Sequence, residues 1–579
     1  MEKHCLECHD SSVSKGDLDI ETALDENPLV KSHHLWVNVL ERIRNGEMPP
    51  EDEPQPSEAE RQALVDWVNR EVIEFDYTTV KDPGYELARR LSHAEYNNTV
   101  HDLFGVNVRP ADEFPHDLRG VSGFSNSANT LFIQPTLLER YISAAEEVVN
   151  AALPDWHFAK ESDPNKLFRV YLRRAYRRPA SDAEVGELVA RYQAARELGH
   201  LHVAALKPAL IFSLISPNFL FRIESAPSGP KDHRITDWEL ASRLSYFIWA
   251  STPDDALLDL AAAGKLRDPD IIREQVQRML RDERSGALGH EFASQWLKFE
   301  HVGTRVRLDP IDSPWCTDTL MKAMRDESAH FIHSLVQENQ PIHRLINANY
   351  TFLNEELARH YRIMGIKGEH MRRVTLNDNR RGGIFGHGSV LAVTSFPGRT
   401  SPVVRGTYIL DDILGTPPPP PPPDAGELEN DEEGGQKLTL KQKLEVHRSA
   451  PQCAGCHARI DPLGFSLENY DWFGRYRDRY RGKPIDSEGQ LPNGHEFSGL
   501  SGLREVIISQ RLDDLTRQIT RKLLSFGLGR QLDYYDELAT QQILAAVKRD
   551  GYRFHTLING IVNSYPFQWK RLPERSDHN

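Results

Sequence analysis

Four of the chain's five cysteines fall into two Cys-x-x-Cys-His strings, Cys5-Leu6-Glu7-Cys8-His9 and Cys453-Ala454-Gly455-Cys456-His457. With five cysteines and 24 histidines in 579 residues, chance supplies about 0.002 such strings, so the pattern asks for a chemical reason. A redox dithiol has no use for the following histidine, and a zinc site would require the two pairs to meet across the whole chain. Covalent haem attachment uses all three positions: the thiols add to the porphyrin vinyl groups and the histidine lies under the iron. The residues therefore favour two covalently bound haem c groups, attached through Cys5, Cys8, Cys453 and Cys456, with His9 and His457 as proximal metal ligands. The fifth cysteine, Cys316, reads as a buried, inert thiol.

The sixth ligands are expected to differ. Met48 stands 39 residues after His9, in Gly46-Glu47-Met48-Pro49-Pro50, where the proline pair would stiffen a loop presenting a thioether to the first iron. Its rivals are His33 and His34, and a core methionine is the plain alternative. No methionine follows Met371, so the second iron would take a histidine, an upstream methionine, or nothing. His387, His447 and His495 are the candidate distal groups, each of which also fits a surface or hydrogen-bonded histidine. A His/Met iron suits outer-sphere electron transfer, whereas an open or displaceable position can bind a small molecule.

Elements that would position these groups are legible around them. Trp36, Val37, Leu40 and Ile43 recur at helical spacing, and Ser57 to Val72 reads as a closing helix with Ala63, Leu64, Trp67 and Val68 on one face. Cys5 to His9, Lys15-Gly16-Asp17-Leu18 and Gly46 to Pro50 resemble the planctomycete-type cytochrome c domain, and that resemblance adds support for Met48. Further strings extend it over nearly the whole chain: Leu91-Ser92-His93-Ala94-Glu95-Tyr96-Asn97, Tyr176-Arg177-Arg178-Pro179, Ser216-Pro217-Asn218-Phe219-Leu220, Thr400 to Gly406 and Asp461-Pro462-Leu463-Gly464-Phe465. Together they look like a multidomain family built largely of domains of unknown function. The resemblance implies architecture, export and haem, but no substrate.

Ser92 and Glu95 have the spacing of a capped helix start. The arginines between Leu172 and Pro179 either clamp haem propionates or form a solvated, salt-bridged face. Arg380 to Ser389 is a glycine-rich loop without nucleotide spacing, suited to tight packing or to walling a large ligand. Arg399 and Arg405 are candidate propionate holders. Seven prolines, Pro417 to Pro423, make a rod of about 22 Å at about 3.1 Å per residue, loosened by the acidic run Asp424 to Gly435. An amphipathic helix with Leu440, Leu444 and His447 leads into the second haem motif. Ile485 to Phe497 reads as a hairpin turning at Pro492-Asn493-Gly494. Leu512, Leu515, Ile519, Leu523 and Phe526 then mark a helix ending at Gly527-Leu528-Gly529.

The expected fold is mainly α and multidomain, with an N-terminal cytochrome c-like domain, central helical domains and a C-terminal haem region containing a small β-hairpin. Units are expected at 1–76, 84–150, 160–230, 236–362, 372–482 and 485–575. A net charge of −15 argues against nucleic acid as a partner, and no apolar run approaches the ~18 residues of a membrane span. Covalent haem attachment places the protein in the periplasm or otherwise outside the cytoplasmic membrane. Met1 runs directly into Glu2-Lys3-His4-Cys5 with no export signal, so a leader is expected to be missing. The functional expectation is a dihaem oxidoreductase, its partner a redox protein or a small-molecule substrate. A non-catalytic electron carrier docking a separate enzyme, and a haem-stapled binding or structural protein, are the alternatives.

Overall fold

The computed structural model describes residues 1–572 apart from 45, 47, 51–52, 86–87, 225–231, 308–312, 419–440, 442–450 and 481. Most of the proline run, the acidic run after it, Leu440, Leu444 and the candidate ligand His447 lie outside the described residues, as do the side chains of His34 and Cys453. The chain is 58% helical and 7% strand, which makes it mainly α, and its strands form only two-stranded antiparallel pairings with no barrel among the described residues. No described helix is long and apolar enough to cross a membrane.

The N-terminal unit is built on helices His33–Arg44 and Glu58–Val68. Trp36, Val39, Leu40 and Ile43 bury one face of the first, while Val65 and Val68 answer from the second, with Trp36 and Trp67 edge to face at 5.4 Å. Ala63, expected on the buried face, is exposed, and Val65 is buried instead, packed with Val68 in the core shared with Trp36 and Leu40. Tyr534 and Leu538 pack against this core from the far end of the chain.

Residues 91–220 share one hydrophobic core, so the two central helical stretches are packed as a pair. Ser92 and Glu95 form the expected capping box, and the buried Glu95 carboxylate is also gripped by Arg89 at 2.9 and 3.0 Å. The arginines that had been candidates for propionates are committed locally. Arg173 pairs with Asp259, Arg174 with Asp255 and Arg178 with Glu184, and Arg177 donates to the carbonyls of Asn218, Phe219 and Phe221.

The largest core runs from helix Asp237–Trp249 to Phe567 and includes Trp249, Trp296, Leu463, Leu523 and Phe526. The glycine-rich loop belongs to it by tight packing. Gly382 and Gly383 have φ of +104° and +60°, and a Cβ on either would overlap the carbonyl oxygen of Ala348 or Ile346. Helix Leu512–Leu528 stops at Gly529, φ +70°. Glu488–Gln490 pairs with Glu496–Ser498 as the C-terminal hairpin, and strand Trp569–Arg571 closes the molecule against Asp232–Arg234.

Candidate haem sites

At the N-terminal site, Cys5 precedes the short helix Leu6–His9, and the amides of Cys8 and His9 both donate to the Cys5 carbonyl. This single turn brings Cys5 and Cys8, three residues apart, onto one side. A cavity opens there, lined by Cys5, Cys8 and His9 and by Met48, Pro49 and Pro50. Leu18, Ile20, Val39, Ile43 and Leu64 make much of the rest apolar, and Lys3, Arg42, Glu7 and Glu53 add charges of both signs. Burial raises the Cys5 thiol pKa. The Met48 segment is pinned by Arg61, whose Nη1 donates to the carbonyls of Ile43 at 2.8 Å and Met48 at 3.2 Å. The Gln55 amide adds donations to the Pro49 and Pro50 carbonyls. His33, the rival ligand, lies elsewhere, lining a cavity with Lys31, Tyr77 and Arg521.

A haem fits this cavity on two counts. Its lining is largely apolar and includes the cysteine pair, the histidine and the methionine that a covalently held haem needs. His9 also carries a buried Nδ1 with no hydrogen-bond partner among the described residues.

The C-terminal motif sits in one helix, Pro451–Phe465. Cys453 lies one turn before Cys456, which is half-buried against the main core. His457 is 15% exposed in its side chain, and its Nδ1 is 2.9 Å from Oδ1 of Asp461, one turn further along and 1% exposed. The helix is clamped against Pro402–Tyr408 through two glycines. A Cβ on Gly406 would overlap the Ile460 carbonyl, and one on Gly464 would overlap that of Pro402. Backbone therefore meets backbone, and the hairpin closes over the other side with Gly489 against Pro462.

Several sequence candidates are reassigned by these contacts. Arg405 is not a propionate ligand. Its guanidinium is fully buried and donates to the carbonyls of Leu467, Tyr470 and Asp471, to Glu468 and to Ser395 Oγ, which ties the helix Pro402–Tyr408 to the segment after the haem helix. Arg399 is exposed with its guanidinium over the Phe396 ring. His387 is 1% exposed and is bonded through Nδ1 to Ser328 Oγ at 3.0 Å, edge-on to Phe331. Burial, with Arg381 and Arg504 nearby, holds it neutral at a pKa of about 3. Its described contacts are to the helix Asp318–Gln337, and its Nε2 is buried without a hydrogen-bond partner among the described residues. His495 is exposed beside the hairpin turn. Cys316 is buried, 6% exposed.

Sequence reasoning missed Arg61, the roles of Gly406 and Gly464, and the Asp461 partner of His457. Only the last had a readable signal, since a carboxylate four residues after a histidine shares its helix face. It also missed the salt bridge of 3.3 Å between Arg459 and Glu41, which joins helix Pro451–Phe465, the carrier of the second motif, to helix His33–Arg44 of the first site.

A Cys-x-x-Cys-His turn, an apolar cavity and a loop-borne methionine, set in a helical scaffold, define a cytochrome c-type haem protein. Residues 5–52 match the family model described as planctomycete cytochrome C. Five models described only as proteins of unknown function follow at 89–154, 165–224, 235–363, 381–480 and 493–567. The chain belongs to the planctomycete-type multidomain cytochrome family. No curated protein and no solved structure matches it.

Within that class, the N-terminal residues have definable work. Cys5 and Cys8 would hold the haem covalently, and His9 and Met48, which line the same cavity, would be the residues to ligate its iron. The group supplies one-electron chemistry when bound. The chain's part is to exclude water with Leu18, Ile20, Val39 and Ile43, and to stiffen the methionine loop through Arg61 and Gln55.

Proposed function

We propose that the protein is an exported dihaem oxidoreductase in which the His9/Met48 site is an electron port and the Cys453/Cys456/His457 site is the reaction centre. The observation carrying this reading is the unequal ligand supply. Met48 shares the first cavity with His9, whereas the second site follows the last methionine, Met371. A thioether ligand favours ferrous iron and outer-sphere transfer; an iron whose sixth position is open or displaceable can take a small molecule. The Arg459–Glu41 contact supports communication between the sites, because it bridges the helix of His457 and a helix walling the first cavity. Covalent attachment of haem supports a place outside the cytoplasmic membrane.

The test is optical, on protein matured with haem-attachment machinery. A pyridine haemochrome should count two haems per chain, and reduced spectra should show one of them binding carbon monoxide. Two haems that both refuse the ligand would overturn the reaction-centre assignment.

That outcome would favour the second reading, a carrier that docks a separate redox enzyme. Its support is the exposure of the apolar side chains Leu118, Val121, Phe132, Leu138 and Ile142 within one stretch of the central region, 42–76% exposed. Docking-dependent reduction without turnover by the protein alone is its expected signature.

A further inference from the structure

The two proximal histidines stand in different electrostatic surroundings. His9 has a buried Nδ1 with no hydrogen-bond partner among the described residues. The His457 Nδ1 instead lies 2.9 Å from a carboxylate that is 1% exposed. Burying a carboxylate is costly, so its place beside an imidazole calls for a reason. The pair is also fixed in place. Both residues lie on one face of one helix, and that helix is locked by the backbone contacts at Gly406 and Gly464.

We propose that Asp461 is the positioning residue of the C-terminal haem: it accepts the Nδ1–H of His457, presents Nε2 to the iron, and holds that iron's reduction potential below that of the N-terminal haem. The proposal rests on the two-haem reading above.

The chemistry follows from how a metal-bound imidazole responds to its second nitrogen. A carboxylate accepting that proton fixes the tautomer and raises the basicity of the ligating nitrogen. A more basic ligand stabilises ferric over ferrous iron, which lowers the potential, while the Met48 thioether works in the opposite direction at the other site. Both differences push the two potentials apart with the same sign. At rest, an electron on the C-terminal iron would pass to the N-terminal iron, oxidising the first from ferrous to ferric and reducing the second.

The experiment uses the full chain with its haems attached, as wild type, Asp461→Asn and Asp461→Glu. A haemochrome count comes first, and a single haem in the wild type overturns the two-haem reading and this proposal with it. With two haems present, a potentiometric titration followed optically should show two waves, the upper one assigned by its downward movement in Met48→Ala. Asp461→Asn keeps an acceptor but removes the charge. It should raise only the lower wave, by at least tenfold in the one-electron equilibrium constant, about 59 mV. Asp461→Glu should return it toward the wild-type value. Two retained haems with both waves unmoved in Asp461→Asn would mean that the carboxylate merely satisfies a helix hydrogen bond. Should Asp461→Asn fail to hold its second haem, the wild type decides: a C-terminal wave at or above the N-terminal one overturns the proposal.

Discussion

The guanidinium of Arg459 lies 3.3 Å from the carboxylate of Glu41, although 418 residues separate them. Arg459 follows His457 by two residues, and Glu41 stands beside Arg42 in the wall of the first cavity. The helix that carries the second motif therefore touches a helix that lines the cavity of the first. Tyr534 and Leu538 add apolar contact between the same two ends of the chain.

This ion pair is 28% and 45% exposed at its two side chains, so its contribution to stability is at most about 1 kcal/mol. Arg459→Glu should leave the melting temperature nearly unchanged while slowing electron exchange between the haems through like-charge repulsion from Glu41. Combining it with Glu41→Arg should restore the rate. Flash-photolysis kinetics on the two-haem protein give the rate, and one that ignores the charge reversal would exclude this contact as part of the route.

Met48→Ala removes the thioether from the first cavity without touching the attachment cysteines. Haem content should be retained, and the upper potential should fall by on the order of 0.1 V, a modest part of the ~0.8 V that axial ligands span. An unchanged potential would assign the sixth position to another residue.

The glycine pair that seats the haem helix should resist any side chain. Gly464→Ala forces a methyl group into the Pro402 carbonyl and should cost about 1–3 kcal/mol, with lowered haem content at the C-terminal site. Gly186→Ala, in helix Asp182–Glu197 with nothing within 4 Å of the added carbon, is the control and should be neutral or stabilising. Thermal unfolding and haemochrome counts read both.

Arg405→Gln should be among the most damaging single changes. It leaves Glu468 with a weaker buried partner set and strips donors from three carbonyls, a loss on the order of 3–5 kcal/mol. Denaturant titration measures it. A near-neutral result would mean that the guanidinium's contacts are dispensable.

Acid should attack the seam that closes the chain. Burial works to raise the Glu224 carboxyl pKa, but the Arg243 guanidinium at 2.6 and 2.7 Å, aided by Lys570, outweighs it and holds the group below its ordinary 4.5. A carboxyl depressed on folding contributes its stability above the unfolded value and loses it as pH falls through the folded one. Glu224→Gln should therefore lower stability at neutral pH and flatten the decline below about pH 4.5. Parallel curves for the two proteins would contradict the assignment.

Local chemistry was legible because it is written at short range. The Cys-x-x-Cys-His spacing is one helical turn, and the Ser92/Glu95 box and the Gly529 stop act within four residues. Trp36, Leu40 and Ile43 reveal a buried face by period alone. The sequence by itself thus determined the helical class, the haem motifs and many helix ends. Only the tertiary structure decided what those elements meet. It turned Arg405 inward to backbone carbonyls, buried His387 against Phe331, brought Arg459 to Glu41 and sealed Asp461 beside His457. The reason is physical: a side chain's type and spacing are properties of the local chain, whereas its burial and partners depend on which distant segments the hydrophobic core draws together.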